Sequence, residues 1–250
     1  MTRAGRAVLV TGASRGIGAA VARAFAASGE RIGVHYGSRR DAAMRVLATL
    51  PGEGHVVAGA DLADPDAVRR MVDEVAGALG GIDVLVNNAG VFEPHAATET
   101  TYEEWLKAWR HTLDVNLIGA ANVTWCVLRH MGAGGRIVNV SSRGAFRGEP
   151  NHPAYGASKA GLVAFGQSLA RALGERRISV TAVAPGFVET DMAATELEGE
   201  SGRRRRAESP LGRVATPDEL AGAVLYLASP EAELASGAVL DFNGASYLRM

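Results

Sequence analysis

The chain has 250 residues, of which 47% are hydrophobic and 21% charged, a composition typical of a folded protein and not of a disordered one. Its formal net charge of −1 gives no reason to expect nucleic acid or an anionic membrane surface as a partner. Cys126 is the only cysteine, which excludes an intrachain disulfide and favours a cytoplasmic setting, and no apolar run is long enough for a signal peptide or a membrane span.

Short apolar runs alternate with longer helical patterns along the whole chain. In chain order, strands are predicted at 7–10, 31–35, 55–58, 82–86, 136–140, 178–183 and 238–241. Helices are predicted at 16–27, 40–50, 65–79, 103–130, 154–173 and 217–228. Strands this apolar are typical of a parallel sheet that is covered on both faces. The alternation therefore predicts one α/β domain over residues 1–250, built on a doubly wound, seven-stranded parallel sheet flanked by helices.

The least regular stretch is 196–210, which is polar, contains glycine and includes four consecutive arginines at 203–206. One interpretation is a solvated, mobile surface segment. The other is a lid over a substrate pocket, because the stretch follows a strand end, where ligands bind in such sheets. The two interpretations are compatible with each other.

A glycine-rich turn joins the first predicted strand to the first predicted helix. Gly12 permits a tight turn, Gly16 lets the backbone approach a phosphate, and Gly18 lets the helix pack closely on the strand. The helix that follows offers unpaired N–H groups and the positive end of its dipole to a pyrophosphate. This arrangement predicts a dinucleotide site; the alternative is a glycine-rich turn that binds no ligand.

The spacing Gly-x-x-x-Gly-x-Gly resembles that of the classical short-chain dehydrogenase/reductase family, and the resemblance runs along nearly the whole chain. Further matches are Asp61-Leu62, the stretch 87–90, Tyr155-x-x-x-Lys159 and Pro185-Gly186. The resemblance implies a Rossmann fold and an oxidoreductase that acts on C–OH and C=O groups with a nicotinamide cofactor. The residues that it implies for cofactor binding are Gly12, Ser14, Arg15, Gly16, Ile17, Gly18, Tyr36, Ser38, Arg39, Asp61, Leu62, Asn88, Ala89, Gly90, Tyr155, Lys159, Pro185, Gly186, Val188 and Thr190.

The choice between NAD and NADP depends on the charge at the end of the second strand. NAD sites usually have an acid there for the ribose 2′-hydroxyl, whereas a 2′-phosphate needs cations. Residues 35–40 contain no acid, and Arg15 and Arg39 are available to donate paired hydrogen bonds to a phosphate. NADP(H) is therefore the predicted cofactor; the alternative is that both arginines are merely exposed.

Tyr155 and Lys159 stand four residues apart near the start of a predicted helix, so the phenol and the ammonium group emerge on the same face. An unperturbed tyrosine has a pKa of about 10, and a nearby lysine cation is expected to lower it. Tyr155 is predicted to donate a proton to the developing alkoxide while hydride arrives from the nicotinamide.

The resemblance supplies two more catalytic candidates. Ser142 matches the serine that orients the substrate carbonyl, with Ser141 as the alternative, and Asn116 matches the asparagine that holds a water in a proton relay to Lys159. No metal site is predicted, because the histidines lack metal-ligand spacing. The residues assigned to packing or subunit contact instead are Trp105, Trp109, Cys126 and Trp125.

Within the family, the chain is most similar to bacterial 3-oxoacyl-(acyl-carrier-protein) reductases, which implies NADPH-dependent reduction of a 3-oxoacyl thioester or another small-molecule carbonyl. Two basic positions are associated with carrier-protein docking; Arg176 matches one, but Ala133 stands at the other, so an acyl carrier protein is left open as a partner. The segment 143–152 is predicted to line the pocket, with two arginines that either meet an anionic substrate or point into water.

Two alternatives to this function remain open. One is an NAD-dependent alcohol, sugar or steroid dehydrogenase, and the other is a non-catalytic regulator that senses the dinucleotide on the same fold. The resemblance also implies a homotetramer, because family members commonly assemble through the helix predicted at 103–130 and the next one.

Overall fold

A computed structural model describes residues 5–249. Seven strands form one sheet: β1 (Ala7–Val10), β2 (Arg31–Tyr36), β3 (Val56–Gly59), β4 (Val84–Asn87), β5 (Arg136–Val140), β6 (Ser179–Pro185) and β7 (Val239–Phe242). They lie in the order β3-β2-β1-β4-β5-β6-β7, and every neighbouring pair is parallel. The predicted doubly wound α/β fold is confirmed.

Helices connect the strands and cover both faces of the sheet. They are α1 (Gly16–Ala27), α2 (Arg40–Thr49), α3 (Pro65–Leu79), α4 (Tyr102–Leu113), α5 (Ala120–Val127), α6 (Gly144–Arg147), α7 (Pro153–Ala172), α8 (Ala194–Leu197), α9 (Gly199–Ala207) and α10 (Pro217–Leu227). A π-helical turn, Asp114–Gly119, joins α4 to α5. No helix within residues 5–249 is long and apolar enough to cross a membrane.

Alternate residues of each strand enter two different hydrophobic cores. Val8 and Val10 of β1 pack with α1, α2 and α10 on one face, while Ala7 and Leu9 pack with α3 and α5 on the other. This alternation follows from the two-residue period of a strand, and it explains why the strands read as continuous apolar runs. With both faces covered, the carboxyl ends of the strands remain as an open edge, and the crossover between β1 and β4 opens a crevice there.

The structure departs from the sequence prediction in two helical regions. The helix predicted at 103–130 is interrupted by the π-helical turn and ends at Val127. The stretch 196–210, predicted as the least regular, contains the second half of α8 and all of α9. Arginine is a good helix former, and local carboxylates neutralise the charges here: Arg205 pairs with Glu196 at 2.9 Å and Arg204 with Glu200 at 3.2 Å.

Candidate active site

A cavity of about 570 Å³ opens at the carboxyl ends of the strands, a size typical of small-molecule sites. Of the residues predicted for catalysis and cofactor binding, all but Tyr36 and Asn116 line it. Tyr36 instead packs over Gly59, where a Cβ would lie 2.6 Å from the tyrosine Cζ. Its ring therefore occupies the space above the next strand and does not face the cavity.

The glycine turn is tightly packed at the predicted dinucleotide end. Gly12 and Gly16 have φ angles of +64° and +54°, which glycine tolerates best. A Cβ on Gly12 would lie 2.8 Å from the Cα of Ala89, and one on Gly18 would lie 2.4 Å from the carbonyl oxygen of Gly12. Helix α1 has no side-chain cap and no acid in its first turn. Its N-terminal N–H groups are therefore open to an anion, and the turn fits a pyrophosphate.

His35, which the sequence analysis did not single out, supports this turn from below. Its Nδ1 accepts a hydrogen bond from the Gly12 N–H at 3.0 Å, and its Nε2 lies 3.0 Å from the carbonyl oxygen of Ala60. Because a carbonyl only accepts, the proton is assigned to Nε2. Burial lowers the pKa of His35 and keeps the ring neutral. A polar residue within an apolar strand next to the turn was the sequence signal for this role.

Basic and hydroxyl side chains surround the end of the cavity that lies next to the carboxyl end of β2. Ser14, Arg15, Ser38 and Arg39 all line it, and the three residues that follow β2 are Gly37, Ser38 and Arg39. Arg15 makes a 3.7 Å ion pair with Asp191, but both side chains are substantially exposed, so the pair is weak. This end of the cavity fits a 2′-phosphate better than a bare 2′-hydroxyl.

Tyr155 and Lys159 project from the first turns of α7 into the opposite end of the cavity. Lys159 Nζ lies 5.7 Å from the centre of the Tyr155 ring and donates a hydrogen bond to the Val140 carbonyl at 2.8 Å. The Tyr155 ring meets Phe92 edge to face, with the ring centres 4.8 Å apart. The predicted pair is thus brought together, with both side chains largely enclosed.

Burial dominates the ionisation of both groups. It raises the pKa of Tyr155 to about 12, against the hydrogen bond with Ser142, which lowers it, while the charge of Glu149 raises it further. Burial also lowers the pKa of Lys159 to about 8. The expected lowering of the Tyr155 pKa by Lys159 is therefore not found in the cofactor-free protein. A phenol that stays protonated at neutral pH suits a proton donor.

The hydrogen bonds of Ser141 and Ser142 distinguish between the two candidate serines. Ser141 donates to the backbone carbonyl of Lys159 at 3.0 Å, whereas Ser142 accepts from the N–H of Gly144 at 3.0 Å and lies within hydrogen-bonding reach of Tyr155. Ser142 is therefore the serine beside the phenol, and its role in orienting a substrate carbonyl stays a prediction.

Asn116 lies in the π-helical turn behind Lys159 and is fully buried. Its Oδ1 accepts from the N–H of Val91 at 2.8 Å, and its Nδ2 donates to the Val91 carbonyl at 3.0 Å and to Ser158 at 3.2 Å. A Cβ on Gly90 would lie 3.2 Å from Asn116 Oδ1 and 3.5 Å from Lys159 Nζ. The side chain therefore ties the segment after β4 to α7, and the water relay stays a prediction.

The predicted pocket segment 143–152 borders the substrate side of the cavity. Arg143 and Glu149 line the main cavity, and residues 147–152 line an adjoining one of about 350 Å³. Arg143 is buried in contact with Glu208, and Arg147 donates to the same carboxylate at 3.2 Å. Glu208 thus binds both guanidinium groups at the border of the two cavities. Contact of these arginines with an anionic substrate stays a prediction.

No group of three or more histidine, cysteine, aspartate or glutamate side chains suited to a metal ion occurs in residues 5–249.

A family model described as enoyl-(acyl carrier protein) reductase matches residues 12–244. The chain belongs to the short-chain dehydrogenase/reductase family. The predicted family is confirmed, and with it an oxidoreductase that acts on C–OH and C=O groups.

Similar proteins of this short-chain dehydrogenase/reductase family differ in substrate. The 3-oxoacyl-(acyl-carrier-protein) reductase FabG of Vibrio cholerae is 35% identical, over 99% of this chain and 100% of that one. The L-rhamnose 1-dehydrogenase (NAD(P)(+)) of Azotobacter vinelandii is 38% identical, over 98% of each chain. A short-chain dehydrogenase of Burkholderia cenocepacia, whose crystal structure is in complex with NADP, is 36% identical with a TM-score of 0.88, over 98% of this chain and 99% of that one.

Proposed function

We propose that this short-chain dehydrogenase/reductase is an NADP(H)-dependent carbonyl reductase, with a 3-oxoacyl thioester as the first candidate substrate. The observation that carries the proposal is the position of Tyr155, whose half-buried phenol lies beside Ser142 at one end of a cavity whose other end holds the glycine turn and Arg39. The relative from Burkholderia cenocepacia, which binds NADP, supports the choice of cofactor.

We assign a separate role in the reaction to each of four residues. Bound NADPH supplies the hydride. Tyr155 donates its proton to the oxygen of the carbonyl, and Ser142 donates a hydrogen bond that strengthens as negative charge develops there. Lys159, whose pKa burial lowers to about 8, returns a proton towards Tyr155 and is held in place by the Val140 carbonyl. We assign Asn116 a positioning role through Val91 and Ser158.

The thioester is supported by the similarity to the Vibrio cholerae reductase, but the carrier-protein contact has little support. Arg176 directs its guanidinium to the carbonyls of Leu128 and Met131, at 3.0 and 2.8 Å, and so closes the end of α5. Ala133 offers no charge at the other position. A small or freely diffusing thioester therefore fits better than an acyl carrier protein.

The comparable similarity to an L-rhamnose 1-dehydrogenase (NAD(P)(+)) supports the sugar oxidation in the first alternative, an NAD-dependent alcohol, sugar or steroid dehydrogenase, but it does not favour NAD over NADP. The absence of an acid in the segment that follows β2 counts against NAD. The regulator hypothesis is weaker, because the phenol, the ammonium group and the serine are all in place.

The test is the rate of NADPH consumption by the purified protein with acetoacetyl thioester, simple ketones and quinones, with NADH measured in parallel. Turnover of the thioester with NADPH supports the oxoacyl reductase. Turnover of another carbonyl keeps the reductase and discards the thioester. Faster turnover with NADH removes the NADP assignment, and cofactor binding without turnover of any carbonyl or alcohol favours the regulator.

The homotetramer also belongs to this proposal. Tyr102, Ile118 and Trp125 are large apolar side chains along α4, the π-helical turn and α5 that are at least half exposed. Such a row is typical of a surface that another subunit covers. Light scattering after size exclusion tests this, and the double substitution Ile118→Asp, Trp125→Glu is expected to reduce the assembly.

A further inference from the structure

The substrate side of the cavity contains one carboxylate that the proposed reaction does not use. Glu149 lies between α6 and α7 and lines both the main cavity and the adjoining one. Its side chain is only 13% exposed. Within residues 5–249, no N–H or O–H group donates a hydrogen bond to it, and Arg147 Nε stands 3.7 Å away, beyond hydrogen-bond length.

The fold leaves room for this carboxylate. A Cβ on Gly144 would lie 2.6 Å from Glu149 Oε1, so the missing side chain at Gly144 creates the space that the oxygen fills. Glu149 is also close enough to Tyr155 that its charge raises the pKa of the phenol. A largely enclosed carboxylate that receives no donor from the protein loses part of its hydration, and a ligand that supplies a donor recovers that loss.

The surrounding charges indicate which kind of donor fits. Three arginines and three glutamates form a balanced cluster: Arg143, Arg147, Arg205, Glu149, Glu196 and Glu208. An anionic substrate would meet the carboxylate of Glu149, and a cationic one would meet the guanidinium of Arg147. A neutral hydroxyl donates to Glu149 without adding a charge to the cluster.

The walls next to Glu149 are aromatic. Phe92 and Phe187 line both cavities, and His152 stacks on Phe92 with the ring centres 3.6 Å apart. Burial lowers the pKa of His152, which favours its neutral form. These walls suit an apolar or aromatic body that carries few polar groups.

We propose that Glu149 is a specificity-determining residue that accepts a hydrogen bond from a hydroxyl group of an uncharged hydroxy ketone, the body of which packs on Phe92 and Phe187. The assignment rests on the proposed carbonyl reduction and narrows its substrate class. A simple 3-oxoacyl chain lacks this hydroxyl, and such a substrate would leave Glu149 without a donor.

Turnover with NADPH gives the first test. The probes are 1-tetralone and its ring-hydroxylated isomers, and the readout is the ratio of kcat/KM for each hydroxylated ketone to that for 1-tetralone. We expect at least one isomer to exceed 1-tetralone by about 10-fold or more in the wild type, the range of a hydrogen bond to a charged group. In Glu149→Gln this ratio falls towards one. Glu53→Gln, at an exposed carboxylate in the turn before β3, keeps the wild-type ratio.

Binding gives a second test that does not depend on turnover. Calorimetry on the protein saturated with NADP⁺ compares 2-naphthol, naphthalene and 2-naphthylmethylamine. We expect 2-naphthol to bind most tightly to the wild type, and its advantage over naphthalene to be lost in Glu149→Gln but kept in Glu53→Gln.

The two tests separate the two proposals. A preference for 2-naphthol that depends on Glu149, together with no reduction of any ketone, overturns the carbonyl reductase and keeps the hydroxyl site. Equal ratios in the wild type and Glu149→Gln, or no binding of 2-naphthol, overturn the hydroxyl site. Tighter binding of 2-naphthylmethylamine than of 2-naphthol also overturns the hydroxyl site, because it shows that the carboxylate selects a cation.

Discussion

His35 accepts a hydrogen bond from the backbone N–H of Gly12 at 3.0 Å, across 23 residues of sequence. This bond needs the neutral ring, because a protonated imidazole has no acceptor nitrogen. The acceptor holds the glycine turn in the shape that lines the cavity. The protonation of one buried histidine is therefore linked to the geometry of the predicted phosphate site.

Acid is expected to destabilise the protein through His35. Its pKa is lowered by burial, so below about pH 6.5, its ordinary value, the unfolded chain takes up a proton that the folded chain does not. Stability is therefore unaffected above that pH and is lost below it, by at most about 1.4 kcal/mol per pH unit. Urea unfolding of the wild type and His35→Asn, at neutral pH and about pH 5.5, measures the effect.

The comparison between the two proteins isolates His35, since His152 also has a lowered pKa and contributes in the same direction. Asparagine can still accept from the Gly12 N–H but does not titrate in this range. The free energy of unfolding of His35→Asn is therefore expected to depend less on pH than that of the wild type. Equal pH dependence in both proteins would show that the His35 ring is not held neutral.

Arg39 is expected to set the preference for NADPH. It lines the cavity, while its neighbour Arg40 does not, so Arg40→Ala is a matched control. We expect Arg39→Ala to lower the ratio of kcat/KM for NADPH to that for NADH by about 10-fold or more, the range of a charged hydrogen bond. Arg40→Ala should leave the ratio near the wild-type value. An unchanged ratio in Arg39→Ala would refute the role.

Removal of the buried ammonium is expected to stabilise the cofactor-free protein. Burial lowers the pKa of Lys159 from 10.5 to about 8. Below about pH 8 the buried ammonium is charged and lowers the free energy of unfolding by about 3 kcal/mol, the full cost of its lost hydration. Stability should rise as the pH increases from about 8 towards 10.5 and the penalty disappears.

Lys159→Met loses the hydrogen bond to Val140, which offsets part of this gain. A net increase of about 1–2 kcal/mol in the free energy of unfolding at neutral pH is expected, with loss of activity. Urea unfolding without cofactor at neutral pH and at about pH 9.5 measures both effects. A variant that is less stable than the wild type at neutral pH would contradict the buried charge.

Tyr155→Phe is expected to remove the proton donor and little else. The ring keeps its edge-to-face contact with Phe92, with centres 4.8 Å apart, so the fold and cofactor binding should persist. We expect kcat to fall by about 10²–10⁴-fold, the usual contribution of a general acid. Single-turnover rates and the NADPH dissociation constant separate the two properties. Activity that survives the substitution would rule out Tyr155 as the donor.

Much of the site could be predicted from the sequence because its residues follow strands. Residues just after β1, β4, β5 and β6 in the sequence meet at one edge, since all strands are parallel. The glycine turn and the pair Tyr155 and Lys159 were therefore located by element and spacing, whereas Asn88 and Ser142 were implied by the resemblance to the family. His35 was missed as a site residue because it belongs to no repeating pattern, and Glu149 was predicted only as one member of the pocket segment 143–152.

The sequence by itself determined the α/β class, the order of strands and helices and the edge at which the site lies, because periodicity and spacing are local properties. Only the tertiary structure decided the pKa values of the catalytic side chains and the ion-pair partners of the arginines. Burial raised the pKa of Tyr155 where a neighbouring cation was expected to lower it, and Glu208, 61 residues beyond Arg147 in the chain, holds both Arg143 and Arg147. Burial and long-range ion pairs depend on how distant segments meet in space, and no local pattern in the chain records that.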